Sequence, residues 1–80
     1  MMNLEERLRY AKVILREVSR EPCSRTFLAK RFIQASGSPA SFETLFRFLR
    51  ANGYVEKVSD EHRAPYRITE RGRKFLEGLT

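Results

Sequence analysis

The sequence predicts a mostly helical α+β fold: three helices, a two-stranded β-hairpin and a C-terminal helix. Three observations predict it. Apolar residues recur at helical spacing as far as Leu49 and again from Phe75 to Leu79. Between these stretches, Tyr54 to Val58 and Tyr66 to Thr69 alternate like strands. The helical stretches open on capping residues, and Pro or Gly breaks the first three. One domain over residues 1–80 is expected.

Asn3 is the expected N-cap of a first helix over residues 3–20, with Glu5 and Glu6 where the helix dipole favours acids. Leu4, Leu8, Ala11, Leu15 and Val18, with Ile14 beside them, form its apolar stripe. Arg7, Arg9, Lys12 and Arg16 lie on its other, solvated face. Glu21-Pro22 breaks the helix. Ser24 caps a second helix over residues 25–35, whose apolar residues are Phe27, Leu28, Phe32 and Ile33. Gly37, in the turn that follows, is the candidate for a left-handed residue just past the helix end.

Ser38-Pro39 opens the third helix as N-cap and first helical residue, giving residues 39–52 with a buried stripe of Phe42, Leu45, Phe46 and Leu49. Asn52-Gly53 ends it. A hairpin follows over residues 54–69, with a polar tip from Ser59 to Pro65. Thr69 caps the last helix, residues 70–79, which carries Phe75, Leu76 and Leu79. Gly72 inside it costs about 1 kcal/mol relative to Ala, so close packing against a neighbour is expected there.

Composition narrows the function. A chain of 80 residues supports one core, burying only about 60% of its unfolded surface, so self-association is a natural aid to stability. The net charge of +6 and pI of about 10.1 favour an anionic partner, most often nucleic acid. No apolar run approaches the ~20 residues of a membrane span. The start, Met1 to Glu6, lacks the basic and apolar regions of a signal peptide, and the cytoplasm is the expected location. Cys23 has no intrachain partner, and one Cys with one His cannot supply the usual zinc ligands. Cys23 is expected as a small, partly buried residue; an intermolecular disulfide or redox role is the alternative. There is no Gly-rich phosphate loop, metal-spaced ligand set or triad, so neither an enzyme nor a cofactor is expected.

Three helices followed directly by a hairpin is the order of a winged helix, and the second and third helices are joined by a tight Gly-containing turn, as in a helix-turn-helix. The stretch from Ser41 to Val55, with Thr44, spaced Leu45 and Leu49, and Gly53-Tyr54-Val55, resembles the recognition helix and first wing strand of winged helix-turn-helix transcriptional regulators. The stretch from Tyr66 to Leu76 (Tyr-x-Ile-Thr-x-x-Gly-x-x-Phe-Leu) is similar to their second wing strand and following helix, especially in small archaeal and bacterial members. The resemblance covers roughly Ser24 to Leu79. It departs at Phe42 and Phe46, where small aliphatics are usual, and at Phe48, where a polar residue is usual. Phe48 is either a partner contact or folded under the wing. The resemblance implies a symmetric homodimer. Because the last helix is short, helix one is the expected interface, with half-sites about 34–36 Å apart.

A helix fits the major groove of B-DNA, with its first turns closest to the bases. With the apolar stripe turned inward, Ala40, Ser41, Glu43, Thr44 and Arg47 face outward near the front of the third helix. Arg47 is the expected base reader, because its fork pairs with guanine O6 and N7. Ser41 and Thr44 suit phosphate or base edges. Glu43 is either an acceptor for cytosine N4 or an acid answering the helix dipole. Arg50, further along, reaches the backbone or stays solvated. Ser24, Arg25 and Thr26 open helix two, a geometry that suits phosphate, although Ser24 also serves as a plain cap.

At the wing tip, His62 and Arg63, flanked by Lys57 and Arg67, suit phosphate or the minor groove. Double-stranded DNA is thus the expected partner. Two alternatives share the fold: a protein-contact module, favoured by Glu43 and Phe48, and an architectural DNA binder without sequence preference.

Overall fold

The computed structural model describes residues 2–79. The Asn3 side chain accepts the Glu6 amide at 2.8 Å and the Glu6 carboxylate accepts the Asn3 amide at 3.3 Å. This capping box starts α1, Leu4–Arg20, and satisfies two amides that the helix leaves free. Ala11, Ile14, Leu15 and Val18 are buried. Leu4, expected on the same stripe, is 67% exposed, because the first turn runs past the edge of the core. Arg7 leaves the solvated basic face expected of it: its Nε is buried and its guanidinium lies 5.5 Å from the Phe48 ring centre.

Ser24 caps α2, Arg25–Ser36, by accepting the Phe27 amide at 3.0 Å. Gly37, at φ 81°, turns the chain out of it and donates its amide to the Ile33 carbonyl at 2.7 Å. α3 spans Phe42–Ala51, three residues later than the Ser38-Pro39 signal predicts. Pro39 does not enter the helix. Its carbonyl accepts the Phe42 amide at 3.3 Å, closing a turn, while Ser38 Oγ accepts the Ala40 amide at 3.1 Å. Ser41 then takes φ 75°, which a helix cannot contain, so helical geometry begins at Phe42.

At the other end of α3, the Tyr54 amide reaches the Leu49 carbonyl at 2.9 Å and the Gly53 amide the Arg50 carbonyl at 3.0 Å. This pair, with Gly53 at φ 73°, is a Schellman ending. It aims the chain into β1, Val55–Lys57, which pairs antiparallel with β2, Tyr66–Ile68. The strands are shorter than the alternation suggests: the Tyr54 amide is committed to the helix end, and Thr69 to the next cap.

Thr69 Oγ1 donates to the Gly53 carbonyl at 2.6 Å and accepts the Gly72 amide at 2.9 Å, opening α4, Glu70–Leu79. Gly72 is buried. A Cβ there would collide with the Tyr54 carbonyl oxygen and sit 2.8 Å from Ile68 Cγ1, which explains the glycine. The observed order, three helices, a two-stranded hairpin and a closing helix, is the predicted mostly helical α+β layout. It is compatible with a winged helix.

The core is laced by rings. Tyr10, Phe32, Phe42, Phe46 and Tyr66 form a ladder from α1 to β2, with successive centroids 5.4, 5.6, 5.4 and 4.8 Å apart. The bulky Phe42 and Phe46 are its middle rungs. Phe48 points the other way and joins Tyr54 and Phe75 in a second cluster between α3 and α4. It therefore packs beside α4, at the base of the hairpin. Among the described residues no helix is long and apolar enough to cross a membrane.

Candidate nucleic-acid interface

The loop before α2 is tied to the hairpin. Cys23 and Tyr66 exchange both backbone hydrogen bonds, at 2.9 and 2.7 Å, in an isolated antiparallel bridge. This contact sets the start of α2 against the wing. The result is a cleft of about 560 Å³ lined by the cap Ser24 with Arg25 and Thr26 of α2, and by Lys57, His62, Arg63 and Tyr66 from the hairpin. At the tip, the Ala64 amide reaches the Glu61 carbonyl at 3.1 Å and Arg63 takes φ 65°, a left-handed turn that leaves His62 and Arg63 exposed.

A second cleft, of about 390 Å³, adjoins it along α3 and is lined by Arg25, Glu43, Phe46, Arg47, Arg50 and Ala51. Glu43, Arg47 and Arg50 recur every three or four residues, so the helical period places them on one face. The period dictates this because Phe42, Leu45, Phe46 and Leu49 occupy the other face. Arg25 belongs to both clefts.

Two arginines are seated on the ring ladder. Arg25 lies 5.5 and 5.9 Å from the Phe42 and Phe46 ring centres, and Arg50 lies 5.4 Å from that of Tyr66. Such contacts contribute on the order of 0.5–1 kcal/mol at exposed sites and limit the rotamers of long side chains. Arg25 also forms an ion pair with Glu43. Glu43 thus combines a first-turn helical position with a specific basic partner. Arg67, expected as a cationic flank, is paired across the strands with Glu56 at 2.8 Å. Arg31 is drawn to Glu17 at 3.0 Å, joining α2 to α1. Among the described residues none of Arg47, Arg50, Lys57 and Arg63 is in an ion pair.

Of the residues singled out from sequence, the two clefts gather Ser24, Arg25, Thr26, Glu43, Arg47, Arg50, His62 and Arg63. Three lie apart. Ala40 and Ser41 precede α3 and line a shallow groove beside Tyr10 and Phe32. Thr44 is exposed on α3 but lines neither cleft. Lys57, read from sequence only as a flanking cation, lines the wing cleft; its place opposite Tyr66 in the strand register was the available signal.

Cys23 is 7% exposed, and its thiol donates to the Glu21 carbonyl at 3.3 Å. Burial first, then the negative charges of Glu17 and Glu21, push its pKa up. A thiol held protonated is a poor nucleophile. Among the described residues no group of His, Cys, Asp and Glu is arranged to hold a metal ion. No family model matches the chain, and no curated protein matches it.

Proposed function

We propose that this chain is a winged helix-turn-helix module that binds double-stranded DNA in a sequence-specific way and regulates transcription. The observation that carries this reading is the continuous cationic face made by the two adjoining clefts. It draws on the start of α2, the outer face of α3 and the hairpin, and among the described residues its cations Arg47, Arg50, Lys57 and Arg63 are in no ion pair.

In this reading α3 enters the major groove, with Arg47 directed at guanine. The start of α2 meets backbone phosphate, and the wing rests on the flanking backbone or in the minor groove. The chain then acts as a binding module rather than an enzyme, in the cytoplasm. A symmetric homodimer through α1 would present two such faces.

A second reading uses the same fold for protein contact. It is favoured by Phe27, which is 47% exposed on α2, outside both clefts. Affinity for a random duplex, measured across a salt series and against sites selected from a random pool, separates the readings. A steep loss of affinity with salt, together with a selected site bound more tightly, supports the sequence-specific reading. A steep salt slope without preference leaves an architectural binder. No binding at low salt leaves the protein-contact reading.

A further inference from the structure

Arg25 stands at the junction of the two clefts, and its present partner is an acid on the α3 face. The pair is solvated on both sides, with Arg25 48% and Glu43 66% exposed. Exposed ion pairs are weak and yield readily to a better partner. On its other side Arg25 faces the wing cleft, where Lys57 and Arg63 collect positive potential and, among the described residues, no acid lines the cleft. The Phe42 and Phe46 rings beneath the guanidinium hold it at this junction. One arginine, seated on two rings, therefore has two competing partners: the Glu43 carboxylate, or a phosphate in the wing cleft.

We propose that Arg25 and Glu43 form a latch that a backbone phosphate opens. In the free protein Glu43 neutralises Arg25 and is itself neutralised. When a duplex docks, Arg25 exchanges the carboxylate for a phosphate oxygen, and Glu43 is released on the exposed face of α3. Glu43 then acts as a selector. It offsets part of the gain of every backbone contact, and its freed carboxylate accepts a hydrogen bond only where the groove presents an amino group such as cytosine N4. Backbone contact and base readout become coupled through one ion pair. This inference rests on the duplex-binding reading.

The exchange has a sign that mere repulsion lacks. If Arg25 leaves Glu43 for phosphate, losing Arg25 weakens binding less when Glu43 is present than when it is absent, since the ion pair no longer has to be broken. If the pair stays closed and Arg25 only shields the acid, losing Arg25 weakens binding more when Glu43 is present. The exchange also leaves Glu43 to attract a cation from solution, which cancels about one released counterion.

The experiment is a double-mutant cycle on the full chain with Arg25→Gln, Glu43→Gln and the double variant. Affinity for a random duplex is read at several salt concentrations. The latch predicts that Glu43→Gln tightens binding about two- to fivefold, the scale of one exposed ion pair. It predicts a log–log salt slope steeper by up to ~0.9. It also predicts that Arg25→Gln weakens binding more in the Glu43→Gln background than in the unmodified chain. The opposite inequality, with the unmodified chain binding, overturns the latch and leaves the duplex reading standing. Failure of the unmodified chain to bind at low salt overturns the duplex reading, and the latch with it.

Discussion

Cys23 and Tyr66, far apart in the chain, hydrogen-bond each other's backbone in both directions, at 2.9 and 2.7 Å. Through this bridge the hairpin is fastened to the residue just before the cap of α2. Neighbouring Phe46 stacks edge-on against Tyr66 at 4.8 Å, so the same tyrosine also joins the hairpin to α3. The three elements of the cationic face are therefore set relative to one another by β2.

The Cys23 thiol is expected to behave as part of that joint. Its raised pKa means that the folded state holds the proton more tightly than the unfolded state does. Its contribution to stability is present below the ordinary thiol range and is lost as pH rises through it, from about 8.5 upward. Denaturant unfolding of the unmodified chain and of Cys23→Ala, compared from neutral to alkaline pH, should show the unmodified chain losing more stability. Parallel curves would show that the thiol environment is unimportant.

Gly72→Ala tests the contact between α4 and the end of α3. On helix propensity alone the substitution should stabilise by about 1 kcal/mol. The collision of the new Cβ with the Tyr54 carbonyl and Ile68 should outweigh this, since overpacking costs on the order of 1–3 kcal/mol. Net destabilisation is expected in urea unfolding. A gain in stability would mean that α4 sits further from Tyr54.

Much of this architecture is legible in the sequence because its signals are local. Asn3, Ser24 and Thr69 cap helices within three residues of their partners, and Gly37 and Gly53 end them. The start of α3 misleads for a local reason too. Ser38-Pro39 suits a helix opening, but it equally suits a turn, and the left-handed Ser41 that decides between them has no glycine to announce it. The site is less legible. Helical period places Glu43, Arg47 and Arg50 together, yet nothing in the spacing of Arg25 and Glu43 announces their pairing, because the packing of α2 against α3 sets it. The Cys23–Tyr66 bridge, which brings Lys57 and Arg63 to α2, is long-range for the same reason.

Arg47 and Arg63 should differ in kind. Arg47→Ala should reduce discrimination between a selected site and its single-base variants, with a loss of about 1–3 kcal/mol at one position. Arg63→Ala, at the wing tip, should weaken all duplexes similarly and flatten the salt slope by about one unit. Competition binding with a panel of duplexes measures both. An Arg47→Ala protein of unchanged preference would remove α3 from the major groove.

Self-association through α1 has a specific handle. Ala11, Ile14, Leu15 and Val18 are consumed by the internal core, whereas Leu4 stays exposed and Leu8 half-buried. Sedimentation at high protein concentration should show a dimer, and Leu4→Glu should weaken it without unfolding the chain. A strict monomer under those conditions would contradict a dimer through this helix.

The most direct measurement is a map of backbone amide chemical shifts as a duplex is added at low salt. Perturbations at Ser24 to Thr26, along the Glu43–Arg47–Arg50 face of α3 and at His62 and Arg63 are the predicted result. Shifts confined to the α1 and α4 surface, or no shifts at all, would contradict the assignment of this face to DNA.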